Sequence, residues 1–450
     1  MVTVIEKIVR QIMARASFSP LAISRATDAV IDTYGAILAG ANESPVKALQ
    51  RAFSDQINED HPSSIVGGLR APVSLAALVN GTAAHSLDFD DNFHPARAHA
   101  SAVLVPALLA VAGGDRSITG RNFLSAYLAG LEAQAAVGFG VNPSHYNAGW
   151  HATSTVGCIG AAAGVAILLR ATETEVAHAM SIAVSLSCGL KGQFGTMVKP
   201  VHAGVAARNA VEAALMAKAG LEARLDILEG RQGFLELSGG EDAKGWKDLV
   251  LASEHVIETR GLVTKRHPCC GSTHRAIDAL LELKKRYDLD IADIRGIDTQ
   301  VGISAQRNLA YADPKDEMEA RFSMQYCLAT AFIHGKLGLS DFTPEAAVRL
   351  ELRDLMSRIS MTAYTPEQEK GVERLPHRVT VITCDGRHIS VERLHAKGAI
   401  EAPLDEADRE YKFRDCLSWA NISGHQIPSW QSLSDLQHTE CVAAALPFPR

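Results

Sequence analysis

Apolar residues recur at helical spacing through roughly the first 260 positions, and this pattern predicts most of the architecture. In residues 1–15, Ile5, Ile8, Val9 and Ile12 share one face between charged neighbours, which predicts a short amphipathic helix. Ser19-Pro20 is a helix start, and its apolar positions run through Ala29, Val30, Ile31, Tyr34 and Ile37 to Gly40. Further helices are predicted from near Pro72 through Ala83, and over residues 121–137, 156–169 and 173–186. Many of their faces carry Ala and Gly, which lets helix axes approach closely, so the pattern implies a helix bundle rather than a doubly wound sheet. After Thr264 the grammar changes. Residues 270–287 and 322–334 read as helices, while 294–303 and 356–363 read as strands. Arg378-Val379-Thr380-Val381-Ile382-Thr383, Cys384-Asp385-Gly386 and His388-Ile389-Ser390-Val391 spell a hairpin. One more helix is expected from Pro403 to Trp419, followed by a tail without long periodicity that should pack loosely or swap onto a partner. The expected fold class is mainly α, with a smaller α+β second domain.

Composition narrows the class. A chain of 450 residues with 47% apolar and 21% charged residues is long enough for two or three domains and has the balance of an ordinary globular protein. A net charge of −7 without a basic block argues against nucleic acid or an anionic membrane as the main partner. The longest run free of charge and histidine, residues 152–169, is mostly Ala, Gly, Thr and Ser, which suits a close-packed buried helix better than lipid. The amino-terminal residues read as neither signal nor transit peptide, and none of the eight cysteines forms a Cys-x-x-Cys pair; reduced core thiols in a cytoplasmic protein are therefore expected.

Candidate chemistry concentrates in His85-Ser86-Leu87-Asp88-Phe89-Asp90-Asp91-Asn92-Phe93-His94-Pro95-Ala96-Arg97-Ala98-His99, a polar stretch between two apolar segments. Asp90-Asp91-Asn92 can be read as a helix stop and turn, with His94-Pro95 opening a loop. Metal ligation is a weaker reading, because no His-Glu-x-x-His spacing is present, and a phosphate site lacks its glycine-rich loop. General acid-base chemistry on a carboxylated substrate fits best: imidazole titrates near neutrality, a neighbouring Asp tunes it, and Arg pairs with carboxylate.

Three more segments add to it. His145 to Thr155 places His151 and several hydroxyls, Thr153 among them, before a small-residue helix, as an anion site or as a simple cap. Gly192 to Gly204 sets Lys199 between Val198 and Pro200, apolar company in which an ammonium needs a counter-charge unless it snorkels to solvent. Lys265 to His274 carries Arg266, vicinal Cys269-Cys270 and His274 at the expected domain join; adjacent cysteines seldom bridge or chelate one ion, so anion recognition is the better reading.

Together these segments resemble the MmgE/PrpD superfamily, that of 2-methylcitrate dehydratase, which also contains cis-aconitate decarboxylase and iminodisuccinate epimerase. The resemblance covers nearly the whole chain. It rests on Leu87-Asp88-Phe89-Asp90-Asp91, Gly149-Trp150-His151, Gly195-Thr196-Met197-Val198-Lys199-Pro200-Val201-His202, Asp226-Ile227-Leu228-Glu229-Gly230-Arg231-Gln232-Gly233-Phe234 and Pro268-Cys269-Cys270, in that order. It implies an all-helical domain from residues 1–264 and 396–450, and an α+β lid over 265–395. A homodimer is implied as well, with metal-independent, cofactor-free chemistry in the cleft between domains. Carried over residue by residue, it makes Asp88, His99, His151, Lys199 and His274 catalytic, with Tyr326 a looser match for substrate binding; Asn92, Arg97, Thr153, Arg266 and Cys270 complete the expected substrate shell.

The chain departs from the family pattern at His99-Ala100-Ser101, where His-Pro-Ser is usual, and carries an apparent extra residue around Arg97 and Ala98. Asn92 stands where Thr is common, and Ala152 where Pro often follows the His. The shared difficulty of such chemistry is negative charge building on a carboxylate as a proton moves at the neighbouring carbon, which Lys199, Arg266 and an imidazolium would hold. The expected activity is a hydro-lyase removing water from a β-hydroxy di- or tricarboxylate, with His99 or His151 as base, the other as acid, and Asp88 orienting one of them. Its alternatives are an epimerase of an amino- or imino-dicarboxylate, a cis-aconitate-type decarboxylase, and a non-catalytic carboxylate-binding dimer.

Overall fold

The computed structural model describes every residue except Met1, Ala16, Asp248, Leu251, Glu373 and Arg450; Met1, where the first helix was expected to start, thus lies outside it. Helix accounts for 56% of the chain and strand for 9%, so the fold is mainly helical with a small α+β part. By contact the chain divides into two compact units, Met1–Val263 with Arg409–Arg450, and Thr264–Asp408.

The first unit is a helix assembly. Its principal helices are α1 (Val4–Met13), α2 (Pro20–Ala39), α3 (Val73–Ser86), α4 (Ala100–Gly114), α5 (Gly120–Val141), α6 (Val156–Leu168), α7 (Glu173–Leu186) and α8 (Val198–Lys218). The starts are those the capping chemistry predicts. Thr3 and Glu6 form a reciprocal capping box at α1, and Ser19 accepts from the Ala22 N–H ahead of Pro20 at α2. The apolar stripe Ile5, Ile8, Val9 and Ile12 is buried as expected. Close axis approach is sharpest where α3 crosses α8. A methyl on Gly204 would fall 2.2 Å from the Leu78 carbonyl oxygen, and one on Gly81 would fall 2.8 Å from the Gly204 Cα, so only glycine fits either place. This crossing brings the end of α3, with His85, toward the start of α8, with Lys199.

Two features of this unit differ from the sequence reading. Ser63–Ile65 (β1) and Leu69–Ala71 (β2) pair as an antiparallel ribbon inside the segment expected to be wholly helical, because a Gly67-Gly68 turn with positive φ at both residues closes it. The carboxyl-terminal tail does not pack loosely. Short helices insert Leu433, Leu436, Val442 and Leu446 into the helical core, a pattern too broken to show as periodicity.

The second unit is a four-stranded sheet with helices. Its strands are β3 (Ile294–Val301), β4 (Ile359–Ala363), β5 (His377–Thr383) and β6 (His388–Arg393), in order β4-β3-β5-β6; β3 and β4 run parallel and the other pairs antiparallel. The expected hairpin is present as β5 and β6, with Val381 opposite Ile389. Helices α9 (Gly271–Tyr287), α10 (Met324–His334) and α11 (Leu350–Ser357) contribute Ile277, Leu280, Leu283, Leu328, Phe332 and Leu355 to the core of this unit. Met356 and Ser357, read as the start of a strand, end α11 instead, and the strand begins at Ile359. Helix α12 (Glu406–Trp419) leads the chain back into the first unit. No helix of the described residues is long and apolar enough to cross a membrane.

Candidate active site

The polar stretch after α3 folds inward. His85 is the last buried residue of α3; Asp88 follows in a left-handed conformation with φ 53°, and the chain then runs to His99, which caps α4. A non-glycine residue in that region is strained, and such strain persists where surrounding contacts fix it. Here the fixing contact is an ion pair: Lys199 Nζ lies 2.6 Å from Asp88 Oδ1. Lys199 sits in the first turn of α8, so the ammonium that the sequence placed between apolar neighbours finds its counter-charge on another element.

Beside this pair, Asp90 holds two imidazoles with one oxygen. His85 Nδ1 donates to Asp90 Oδ2 at 2.8 Å, and His99 Nδ1 lies 3.2 Å from the same atom without hydrogen-bond alignment. The His85 ring is 4.4 Å from that of His99 and 5.8 Å from that of His151. His151 continues the row: its Nδ1 is 3.1 Å from His202 Nδ1, so one of the two nitrogens carries the proton, and the Phe194 ring packs on its edge at 4.9 Å. The backbone N–H of His99 donates to Thr153 Oγ1 at 3.0 Å, tying the first polar segment to the second.

Burial sets the protonation states. The ordinary value of His85 falls to about 4 because burial disfavours its charge, more than Asp90 restores. His151 is held well below its ordinary value by burial and by the neighbouring His85, Lys199, His99 and His202, so it is a neutral imidazole at pH 7. Burial alone would raise Asp90, but His85 and His99 more than offset it, and the carboxyl stays well below its usual range. Asp91 moves the other way, to about 6: burial and the nearby Asp90 and Asp32 outweigh the hydrogen bonds from Ser101.

A second layer supports this one. Lys412 of α12, 3% exposed, lies 2.7 Å from Asp32 and donates to the Phe89 carbonyl oxygen at 2.8 Å, which anchors the loop between Asp88 and Asp90 from below. Ser101 bonds both Asp91 and the Tyr127 hydroxyl. Against this satisfied layer, His85 Nε2, Asp90 Oδ1 and His99 Nδ1 are buried without a hydrogen-bond partner. Each such atom costs about 1–3 kcal/mol, so three in one cluster mark a place shaped for something other than stability.

His85, Asp88, Asp90 and His99 also offer ligand atoms within 4.8 Å of one another, the reach of a metal ion. Asp88 is already paired with Lys199, so the cluster carries one cation of its own beside the place where an ion would sit, while Asp90 faces His99 and the neutral His85.

Of the residues expected in the site, the fold brings Asp88, His99, His151, Thr153 and Lys199 together. Asn92 is half-buried and spends its backbone on a two-way bridge to Val263, and Arg97 is exposed at the tip of a tight loop with φ 49°. The other expected residues belong to the second unit. There His274 is buried, with Nε2 3.2 Å from the Cys269 carbonyl oxygen, and Cys270 caps α9. Arg266 lies 3.5 Å from Asp278 and 3.2 Å from Asp408; it is therefore already neutralised by two carboxylates, contrary to its expected role as a free anion anchor. Tyr326 is wholly buried and its hydroxyl donates to the Asp341 carbonyl oxygen, so it fills core rather than offering a phenol. Three cluster members were not singled out beforehand: His85, Asp90 and His202. Signals existed for each. His85 and Asp90 stand within the polar stretch, five residues apart across a helix end, and His202 is three residues from Lys199 on one helix face.

Comparison with known proteins gives a consistent picture. A family model of the MmgE/PrpD N-terminal domain matches residues 10–246, and one of the MmgE/PrpD C-terminal domain matches residues 267–423. A cis-aconitate decarboxylase of Homo sapiens is 28% identical over 441 residues, covering 95% of this chain and 90% of its own length. A cis-aconitate decarboxylase of Mus musculus is 28% identical over 374 residues (80% and 75%), and one of Aspergillus terreus is 26% identical over 360 residues (75% and 73%).

Proposed function

The chain belongs to the MmgE/PrpD family, and from that premise we propose that it is a lyase acting on a polycarboxylate by imidazole and lysine acid-base chemistry without a metal ion. The observation that carries this reading is the row of His99, His85, His151 and His202, with Lys199 and two carboxylates, in which His85 Nε2 and Asp90 Oδ1 have neither a hydrogen bond nor an ion pair within the protein. A substrate supplies what such atoms lack.

Roles follow from the local environments. Lys199, fixed by Asp88, offers a positive charge where a substrate carboxylate gains electron density. His151 is neutral through burial, and its Nδ1 is taken by His202, which leaves Nε2 for substrate. Asp90 sets the orientation of His85 and lies against His99, the arrangement by which a carboxylate fixes an imidazole for proton transfer.

The finer reading is decarboxylation of an unsaturated tricarboxylate of the cis-aconitate kind. The activity named for the relatives supports it over water elimination, the first expectation from the sequence. In that reaction the carbon–carbon bond to the leaving carboxylate breaks, its electron pair remains in the allylic system, and carbon dioxide departs. A protonated imidazole, His99 in this reading, gives its proton to the allylic carbon and is reloaded from solvent. Water elimination uses the same parts: His151 removes the carbon-bound proton, the pair forms the double bond, and the acid protonates the departing hydroxyl.

The test is a panel of substrates with the purified protein. Carbon dioxide released from cis-aconitate supports the first reading. Absorbance of a new conjugated double bond from a β-hydroxy tricarboxylate moves the protein to the dehydratases, and deuterium uptake at carbon without net product moves it to the epimerases. None of the three on any di- or tricarboxylate sinks the proposal. Activity that a chelator abolishes and a divalent ion restores would overturn its metal-independent part.

A further inference from the structure

We infer that His202 is the donor of the His151–His202 pair, a positioning residue that keeps the proton of His151 on Nε2, so that His151 meets a substrate carboxylate as a neutral N–H and not as a base. This rests on the polycarboxylate lyase reading above and deepens it, because decarboxylation and water elimination need opposite states of this pair.

The contact itself is the first support. The two Nδ1 atoms face each other at 3.1 Å, and the ring centres lie 5.3 Å apart. Burial lowers the ordinary value of both residues, so each ring is neutral at pH 7 and carries one proton. Only one proton fits between the facing nitrogens, and the outer nitrogens are therefore always unlike. If His202 donates, His151 holds Nε2–H and His202 Nε2 is bare; if His151 donates, the reverse holds. Neither Nε2 has a protein partner among the described residues, and neither is sealed from the surface. Water serves His202 in either form, so what His151 meets in the site decides between them.

The second support is the kind of partner. His85 is backed by Asp90, an acceptor only, which fixes its proton on Nδ1 and leaves Nε2 bare. His151 is backed by an imidazole, which can donate where a carboxylate cannot, and does so without adding charge. Against a substrate carboxylate a bare Nε2 sets lone pair against lone pair, whereas Nε2–H donates, which is how a neutral imidazole serves as an electrophile. The proton delivered to carbon still comes from His99, and the one on His151 stays in place throughout. The seat of the His202 ring is the third support. Ser154 Oγ donates to the His202 carbonyl oxygen at 3.1 Å, and the His151 N–H donates to the Gly189 carbonyl oxygen at 3.0 Å. Gly189 holds φ 122°, and a methyl there would fall 2.8 Å from Ser154 Cβ and 3.4 Å from His202 Cγ. The residue that fixes the His151 backbone thus also gives up a side chain so that His202 can sit against it.

The test has two arms. In the wild-type protein carrying isotope-labelled histidine, long-range proton–nitrogen correlation spectra should show His151 with its proton on Nε2 and a bare Nδ1, its signals being assigned by their loss in His151→Gln. Glutamine has no atom in the Nδ1 position, so His202 cannot fix its amide and the substitution does not stand in for the imidazole. A proton on Nδ1 of His151 overturns the proposal whether or not the protein turns over. In carbon dioxide release from cis-aconitate, His202→Leu should lower kcat at least tenfold with less change in KM, while His202→Asn, whose amide N–H can replace Nδ1–H, should stay within about threefold of wild type. Equal losses in the two variants, or none in His202→Leu, make His202 a packing residue and overturn its role. Water elimination in place of carbon dioxide release calls for a base at His151 and overturns the proposal as well. A wild-type protein without turnover on any polycarboxylate refutes the lyase reading and leaves the spectra to decide the pair.

Discussion

Two clusters of histidine and carboxylate, one in each unit, look alike as strings of residues and differ in how their polar atoms are used. In the second unit, His267 and Arg266 share Asp278, Asp278 also accepts the Lys397 N–H at 2.7 Å, Arg266 reaches Asp408, whose Oδ2, buried without a hydrogen bond, is paired with the Lys397 ammonium, and His274 lies against the Cys269 carbonyl. In the first unit, His85 Nε2 and Asp90 Oδ1 have neither a hydrogen bond nor an ion pair inside the protein, and His99 Nδ1 lies against Asp90 without a hydrogen bond. A network that closes on itself holds a fold together. One that stays open at the cost of stability is held for a ligand. The comparison separates scaffold from site where residue type alone does not.

Breaking the open cluster should have the largest effect. His151→Gln and Lys199→Ala should each lower turnover by about 10²- to 10⁴-fold, the usual weight of a general acid-base group; the melting temperature should hold in His151→Gln and fall in Lys199→Ala, where Asp88 loses the ion pair that fixes it. Near-normal turnover in both would remove their assigned roles. Next comes the layer beneath. Lys412→Met leaves Asp32 buried without its cation, which costs about 3–5 kcal/mol, and a melting curve should show it. Adding Asp32→Asn should recover part of that loss; no recovery would mean that the bond to the Phe89 carbonyl, and not the ion pair, is what matters.

Opening the closed cluster should do less. Arg266→Ala and Tyr326→Phe should reduce the melting temperature, in keeping with loss of satisfied contacts worth about 1–3 kcal/mol, with little change in KM. A tenfold rise in KM would make either a substrate contact and blur the contrast.

Acid should act most gently and most generally. His85, His145 and His255 have ordinary values lowered to about 4, chiefly by burial, so the unfolded chain binds more protons than the folded one between pH 6.5 and 4. Stability from these residues is complete above pH 6.5 and is lost as pH falls through that window. Asp91, raised to about 6, works in the opposite sense: its contribution is present below its unfolded value and is lost as pH rises through 6. His151, His202 and His377 are lowered as well, and Asp32 and Glu132 are raised like Asp91; six histidines against three carboxyls predict a melting temperature that declines from pH 7 to pH 4, and a flat or rising profile would show that the imidazoles are not buried as described.

Much of this was legible beforehand. The stripe of α1, the proline start of α2, the full span of α7 and the β5–β6 hairpin are local, set by periodicity, caps and turn residues within a few positions. The ribbon at residues 63–71 is local but was missed because three-residue strands are too short to show an alternation, and the buried tail was missed because its partners lie far along the chain. The site divides the same way. Asp88, His99, His151 and Lys199 were nameable from unusual residues in apolar company, together with the family resemblance.

What the sequence determined by itself is therefore the parts: which segments are helices, where the hairpin turns, and which stretches carry proton-transferring groups. Only the tertiary structure decided the pairings. Lys199 belongs to Asp88, Asp90 serves both His85 and His99, Lys412 supports the loop from far along the chain, and Arg266 is already neutralised. The reason is that a charge or a hydrogen-bonding atom gains its meaning from what lies within a few ångströms of it, and that neighbour is 111 positions away for Lys199 and 323 for Lys412.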